Sequence, residues 1–188
     1  SDQVDWEGEL AFVIGKRCRH VPRDRAPSVI AGYTIVNDVS VRDWQHRVPT
    51  FTMGKSFDTH CPLGPAIVTA DEVGDPHALA IRTLVNGEVR QSSNTKELIF
   101  DCYAIVEHLS TAFTLEVGGV SSTGTPAGVG GAMKPPKWLV AGDRVRIEIA
   151  RIGTLDGDGA RLRSWDVDLN PFKPKAGELL IGRDIINR

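Results

Sequence analysis

Residues 6–14 read Trp6-Glu7-Gly8-Glu9-Leu10-Ala11-Phe12-Val13-Ile14, in which two acidic side chains precede a continuous apolar run. Such a run is typical of a buried strand. Residues two apart in a strand point to the same face, so we expect Glu7 and Glu9 to project together. Two adjacent carboxylates repel unless a proton or a cation lies between them. The stretch predicts a strand with an oxygen-rich cation site at its start, and a solvated strand face is the alternative.

A third carboxylate follows a second β-like run. Asp38 comes directly after residues 32–37, a run that is apolar in its middle and polar at its end. A carboxylate at a strand end can complete a three-oxygen site, with water and substrate in the other positions of an ion such as Mg²⁺. Asp38 as a simple turn former is the alternative, because Asn-Asp pairs are frequent in turns.

The rest of the chain predicts a mainly β domain with some α structure, an α+β fold. Short β-rich runs between glycines and prolines occupy residues 9–14, 29–36, 66–69, 80–85 and 144–150. Asn86-Gly87 predicts a type I′ hairpin turn, because both residues tolerate positive φ. One helix is expected after Asp101, its N-cap, with an earlier start at Asn94 or Thr95 as the alternative. Its apolar residues recur at helical spacing: Cys102, Ile105, Val106, Leu109 and Phe113.

Composition excludes several classes of protein. The 188 residues, 41% of them hydrophobic, fit one globular domain. A net charge of −2 argues against a nucleic-acid partner, because phosphates require a basic face. No apolar run approaches the roughly 20 residues that span a bilayer, so no membrane association is expected. The three cysteines form no CxxC pair, which makes a disulfide framework or a zinc site improbable and favours a reducing cytoplasm.

Several sequence blocks, in order, resemble the fumarylacetoacetate hydrolase family, and specifically its C-terminal catalytic domain. Together they cover about residues 5 to 155. The first two are Glu7-Gly8-Glu9-Leu10 with Val13-Ile14-Gly15-Lys16, and Gly32-Tyr33-Thr34-Ile35-Val36-Asn37-Asp38-Val39-Ser40-Val41-Arg42-Asp43. The others are Gly54-Lys55-Ser56-Phe57-Asp58-Thr59, Cys61-Pro62-Leu63-Gly64-Pro65, and Thr123-Gly124-Thr125-Pro126-Ala127-Gly128-Val129-Gly130.

The resemblance implies a mixed β-sandwich or β-roll fold and a set of site residues. In the family, carboxylates at the positions of Glu7, Glu9 and Asp38 bind Mg²⁺ or Mn²⁺. Arg42 and Gln45 match substrate contacts. Lys55 matches a lysine near the metal and is expected to contact substrate as well, and Thr125 matches a threonine that contacts a substrate carboxylate or carbonyl. The catalytic roles would fall to Lys55, which adds positive charge at a developing oxyanion, and Arg42, whose planar fork suits a carboxylate.

The implied function is divalent-metal-dependent cleavage of a C–C bond in an acylpyruvate-type 2,4-diketo acid, through a metal-stabilised enolate. Relatives isomerise, hydrate dienoates or decarboxylate oxaloacetate instead. The motifs look most like bacterial members of aromatic-compound catabolism, such as acylpyruvate hydrolases and 5-carboxymethyl-2-hydroxymuconate isomerases. A small keto-acid substrate and a homodimer are expected.

The chain departs from the family pattern at both ends. Family hydrolases activate water with a His-Glu pair upstream of the E-x-E block, and this chain begins six residues before Glu7. A missing N-terminal segment is the expected explanation. A non-catalytic domain that binds metal and carboxylate is the alternative. We expect a metal-binding catalytic domain over residues 1–155 and an atypical C-terminal extension over residues 156–188.

Overall fold

The computed structural model describes residues 1–158, which form a mainly β domain with short helices. Its strands are β1 (Val4–Asp5), β2 (Gly8–Ile14), β3 (Ile30–Asn37), β4 (Ser40–Val41), β5 (Leu63–Thr69), β6 (Ala80–Val85), β7 (Glu88–Asn94), β8 (Val120–Ser122), β9 (Arg144–Ile149) and β10 (Gly153–Asp158). Its α-helices are α1 (Arg42–Gln45), α2 (Thr52–Lys55), α3 (Ala70–Val73) and α4 (Cys102–Ala112). Three 3₁₀ segments are described as well: Arg23–Val29, Thr95–Glu97 and Gly130–Ala132. The predicted fold class is confirmed.

Two antiparallel four-stranded sheets pack against each other. One has the strand order β5-β3-β2-β8 and the other the order β10-β9-β6-β7, while β1 pairs separately with β4. Where the two sheets face each other, β2 contacts β6 and β3 contacts β9. Both sheets contribute to one apolar core, with Phe12 and Ile35 from the first and Ile81 and Ile147 from the second. Full burial of each such side chain stabilises the fold by about 1.5–3 kcal/mol.

The strand patterns follow from burial. Every residue of β2 is buried, so it reads as a continuous apolar run rather than an alternation. Strand β9 alternates, with Val145, Ile147 and Ile149 buried between more exposed charged residues, as its sequence predicted. The expected turn between β6 and β7 is confirmed: φ is 53° at Asn86 and 82° at Gly87.

Helix α4 begins where the sequence placed it. The side chain of Asp101 accepts a hydrogen bond of 2.8 Å from the backbone N–H of Ala104, which caps the first turn. Cys102 and Val106 are fully buried on the face that meets the core, as the helical spacing predicted. Phe113, which was expected on the same face, is wrong as a helical core position: α4 ends at Ala112, and the extended Phe113 is exposed.

The expected boundary at residue 155 falls inside a strand. Strand β10 pairs with β9 through Asp158, opposite Arg144. Residues 156–158 therefore extend the second sheet. The remaining part of the expected extension, residues 159–188, lies outside the described residues.

The fold brings the sequence blocks of the site together at the start of β2. Pairing of β1 with β4 sets Asp5 opposite Ser40, and the Asp38 N–H donates to the Glu7 carbonyl over 2.9 Å. The second sheet approaches at Gly8, where an added Cβ would lie 2.1 Å from Thr83 Oγ1. Glycine is required at this position because no side chain fits between the sheets.

Candidate metal centre

Three carboxylates meet at the junction of β2 and the turn after β3. Glu7, Glu9 and Asp38 each offer an oxygen, and these atoms lie within 4.8 Å of one another. Glu7 and Glu9 are only 7% and 3% exposed, which rules out the solvated strand face considered as the alternative. Asp38 is half-buried and lies in the short connection between β3 and β4, where the Val39 N–H donates to the Asn37 carbonyl over 2.8 Å, so its position fits both the ligand and the turn-former interpretations.

Glu9 is the most deeply placed of the three. Burial raises its pKa from 4.5 to about 7, and the charges of Asp38 and Glu7 act in the same direction. Hydrogen bonds from the Ser122 hydroxyl and, at 2.8 Å, from the Gly124 N–H oppose this rise. Clustered, desolvated carboxylates are stabilised by a bound cation, and three hard oxygen donors suit Mg²⁺ or Mn²⁺. The residues therefore fit a divalent ion of that kind.

Lys55, at the end of α2, contacts two of the three carboxylates. Its Nζ lies 2.8 Å from Glu7 Oε2, 2.6 Å from Asp38 Oδ2 and 2.8 Å from Ser40 Oγ. Burial of the Lys55 side chain lowers its pKa. The hydrogen bonds that Lys55 donates to Asp38 and Glu7, together with the negative charges of these two acids, outweigh burial and raise the pKa of Lys55 above its usual value. Lys55 is thus a charged member of the cluster rather than a solvated loop residue.

Arg42, at the start of α1, is held by three acceptors. Its Nε and Nη2 each lie 2.9 Å from Asp5 Oδ2, and its Nη1 lies 2.6 Å from Glu7 Oε1 and 2.9 Å from Gln45 Oε1. The side chain is 11% exposed. Its partners are buried acids, not the neighbouring Asp43, so it is not a surface ion pair.

A cavity of about 500 Å³ adjoins the carboxylates. Glu7 lines it and is also part of the cluster, so the cavity and the cluster meet at this side chain. Of the predicted substrate residues, Arg42, Gln45 and Thr125 line it, whereas Lys55 is not among its lining residues. Further lining comes from Gln3, His46, Pro126, Ala127, Val129, Gly131, Ala132 and Trp138.

The predicted substrate contact Thr125 is engaged within the protein. Its hydroxyl donates to the Gly8 carbonyl over 3.0 Å and accepts from Gln91 Nε2 over 2.8 Å. Gln91 also accepts from the Gly8 N–H at 3.0 Å and donates to the Pro126 carbonyl at 2.8 Å. In this structure Thr125 therefore fixes the cavity wall to the residue between Glu7 and Glu9.

The segment 123–131 runs alongside residues 5–10 in the opposite direction. Thr123 bonds to the Leu10 carbonyl, Gly124 to Glu9 and Thr125 to Gly8. Further along, the Gly128 carbonyl accepts from Trp6 Nε1 at 3.1 Å. The N–H groups of Gly130 and Gly131 end the series by donating to Asp5. We call this pairing the loop clamp, meaning residues 5–10 with residues 123–131.

Several residues of the site were not found from the sequence. Asp5, Gln91, Ser40 and Ser122 all bond to predicted site residues. Asp5 had a usable signal, because it extends the alternation of acidic residues two positions upstream of Glu7. The other three are ordinary polar residues whose partners lie far away in the chain.

His60 is a mostly buried histidine close to Lys55. Burial lowers the pKa of His60 to about 4, the nearby charge of Lys55 acts in the same direction, and a hydrogen bond with the Val39 backbone opposes them. The imidazole is therefore neutral at pH 7 and adds no second positive charge beside Lys55.

Three clustered carboxylates beside a cavity that Arg42 lines are a set of groups that can hold a divalent cation next to an anionic ligand. The chain belongs to the fumarylacetoacetate hydrolase family, whose pattern "Fumarylacetoacetate (FAA) hydrolase C-terminal" matches residues 1–158. The family predicted from the sequence blocks is thereby confirmed.

Named relatives of the chain are enzymes. "Oxaloacetate tautomerase fahd2, mitochondrial" of Xenopus laevis is 49% identical over 157 residues, which cover 82% of this chain and 49% of that protein. The structure of 5-carboxymethyl-2-hydroxymuconate delta-isomerase from Mycobacterium smegmatis is 47% identical, with a TM-score of 0.75, covering 82% of this chain and 58% of that one. The chain spans about half the length of the curated relatives that it matches.

A third relative holds ligands. The structure of maleylpyruvate hydrolase from Sphingobium sp. SYK-6, in complex with manganese(II) and pyruvate, is 40% identical to this chain. Its TM-score is 0.74, and the match covers 83% of this chain and 54% of that one.

Within residues 1–158, no helix of this protein is long and apolar enough to cross a membrane.

Proposed function

We propose that this protein is a divalent-metal-dependent enzyme that interconverts the keto and enol forms of oxaloacetate or a closely similar 2-oxo dicarboxylate. The observation that carries the proposal is the carboxylate cluster Glu7, Glu9 and Asp38, which adjoins an arginine-lined cavity. The 49% identity to a protein named oxaloacetate tautomerase supports the choice of substrate.

The chemistry needs stabilisation of negative charge on the keto oxygen while a proton moves between that oxygen and the neighbouring carbon. A cation held by the three carboxylates supplies Lewis-acid polarisation there. Lys55 adds a second positive charge at the edge of the cluster. Arg42 lines the cavity and orients a substrate carboxylate, and Gln45 holds the Arg42 side chain in place. The cavity of about 500 Å³ accommodates a small dicarboxylate.

We propose Mg²⁺ or Mn²⁺ as the cation. Both ions prefer oxygen ligands, and a relative binds manganese(II). Calorimetric titration of each ion, with and without oxalate as a mimic of the enolate, ranks the two. Binding that strengthens with oxalate supports the assignment, and absence of binding of either ion contradicts it.

Tautomerase activity is tested by following the loss of enol absorbance of oxaloacetate in the presence of Mn²⁺ or Mg²⁺. We expect the wild type to accelerate the reaction over metal in buffer. Glu9→Gln should lose about 100-fold or more of this acceleration, since even groups that only orient metal ligands contribute 10- to 100-fold. The matched control is Glu72→Gln, an exposed acid on α3, which should behave as wild type. No acceleration by the wild type would refute the proposal.

Hydrolysis of a C–C bond in an acylpyruvate is the second candidate. It is favoured by the relative that hydrolyses maleylpyruvate and was captured with pyruvate. Incubation with an acylpyruvate, with pyruvate release as the readout, separates the two activities. Binding of metal and oxalate without turnover of either substrate would instead support the non-catalytic binding domain.

We further propose that the protein acts on a small keto acid in the cytoplasm, as a homodimer, in the breakdown of aromatic compounds. The resemblance of its motifs to muconate-isomerase-type members supports this setting. Light scattering tests the assembly, and a monomeric mass would contradict the dimer.

A further inference from the structure

Asp5, the last residue of β1, is a fully buried carboxylate that receives five N–H contacts. Its Oδ1 accepts from the N–H groups of Trp6 at 2.9 Å and Gly130 at 2.7 Å. Its Oδ2 accepts from Gly131 at 2.9 Å and is paired with both Nε and Nη2 of Arg42, each at 2.9 Å. A buried charge is tolerated when it is paired and hydrogen-bonded in this way.

These contacts join two segments that line the cavity. Arg42 lines it from α1, and Gly131 lines it from the far end of the loop clamp. Close approach requires glycine here: a Cβ on Gly130 would lie 2.9 Å from Asp5 Oδ1 and 2.0 Å from the Lys137 carbonyl oxygen. The carboxylate of Asp5 therefore sets the distance and the orientation between the arginine and the loop.

The donors of Arg42 are almost all committed. A guanidinium has five N–H groups. Nε and Nη2 each lie 2.9 Å from Asp5 Oδ2, and Nη1 lies 2.9 Å from Gln45 Oε1 and 2.6 Å from Glu7 Oε1. Nη2 carries a second N–H group, and we assign this group to a ligand in the cavity that Arg42 lines. Without that pairing, the carboxylate that remains to Arg42 is Glu7, which is also a candidate metal ligand.

We propose that Asp5 is a positioning residue for the binding of the substrate carboxylate. It acts through Arg42 and the backbone of residues 130–131 and does not touch the substrate. The inference rests on the proposed function only for the identity of the ligand, a small dicarboxylate or its analogue.

Asp5→Asn tests the proposal, because it keeps the shape and turns one acceptor into a donor that opposes the N–H groups of Gly131 or Arg42. With Mn²⁺ saturating, we expect the calorimetric Kd for oxalate to rise on the order of 10- to 100-fold. The Kd for Mn²⁺ without oxalate should change by a smaller factor than the Kd for oxalate, because Asp5 is not one of the three clustered carboxylates. The matched control is Asp2→Asn, an exposed acid of the same segment, which should bind oxalate as the wild type does.

A double-mutant cycle separates positioning from a merely structural role. If Asp5 acts through Arg42, Asp5→Asn should weaken oxalate binding little further in an Arg42→Lys background. A fully additive loss, or an oxalate Kd that is unchanged in Asp5→Asn while only the melting temperature falls, would overturn the proposal.

The wild type provides a measurement that does not depend on a foldable variant. In ¹⁵N NMR of arginine side chains, the Nε–H of Arg42, assigned by its loss in Arg42→Lys, should exchange with solvent more slowly than that of the exposed Arg17. Equally fast exchange would show that the pairing with Asp5 does not hold. Because oxalate affinity and proton exchange need no turnover, they decide the role of Asp5 even if oxaloacetate proves not to be the substrate.

Discussion

Replacing Gln91 by leucine should remove the hydrogen bonds that join the loop clamp to the second sheet, with little change in side-chain volume. Gln91 lies on β7, is 1% exposed, and bonds to Gly8, Thr125 and Pro126. The variant removes these bonds at once. The Thr125 hydroxyl can keep its bond to the Gly8 carbonyl, so the loop should loosen rather than detach.

The cost follows from which groups lose their partners. The Gly8 N–H lies in a buried residue and would have no replacement, which costs about 1–3 kcal/mol. The Pro126 carbonyl borders the cavity and can be hydrated, so its loss adds little. We expect a net loss of about 2 kcal/mol in the free energy of unfolding, or about 4–8 °C in melting temperature for a protein of this size.

Urea unfolding measures this loss as a lower midpoint with an unchanged slope. Ser92→Ala, at the exposed neighbouring position on β7, is the control and should unfold as wild type. Thr125→Val shares the same network, so the double variant with Gln91→Leu should lose less than the sum of the single losses. A loss below about 0.5 kcal/mol in Gln91→Leu would refute the reasoning, because it would mean that the buried N–H finds another partner.

Three further predictions concern stability. Burial raises the pKa of Glu9 from 4.5 to about 7, so the folded state binds the Glu9 proton more tightly than the unfolded state does. The free energy of unfolding of chelator-treated protein should therefore fall by up to about 3 kcal/mol as the pH rises from 4.5 to 7. Thermal melts of wild type against Glu9→Gln check this, and parallel pH profiles would contradict it. Asp101→Ala should lower the free energy of unfolding by about 1 kcal/mol, because it removes the cap of α4. Urea unfolding measures this change, and an unchanged stability would mean that the cap contributes nothing. Gly8→Ala should lower the free energy of unfolding by about 1–3 kcal/mol or more, because the added methyl group overpacks against Thr83. Adding Thr83→Ala should restore part of that stability in the double variant. Strictly additive losses would argue against the clash.

Local patterns were enough to predict most of the fold. The apolar run of β2, the alternation of β9, the Asn86-Gly87 turn and the cap at Asp101 each depend on neighbouring residues, and all four are confirmed. The pairing of β1 with β4 is different. Two-residue strands have no periodicity to detect, and their partners become visible only when the chain has folded.

The same distinction applies to the site. Glu7, Glu9 and Asp38 could be chosen from their strand positions and from family motifs, and the structure brings them together. The role of Gln91 could not be predicted, because a glutamine in a hairpin strand has no pattern that points to Gly8 or Thr125. Thr125 was assigned to the substrate, yet its hydroxyl is used within the protein, since the fold places the Gly8 carbonyl within its reach.

The loop clamp has a consequence for how this domain could acquire new specificities. Its anchoring bonds run through backbone groups or through Asp5, Trp6, Glu9 and the two threonines. Ala127 and Val129 of the clamp and the adjacent Ala132 line the cavity, and their side chains cannot hydrogen-bond. Substitutions at these three positions would change the shape of the cavity wall while Glu7, Glu9 and Asp38 keep their positions. Selection could thus change which small ligand the cavity accepts, at little cost to the stability of the fold.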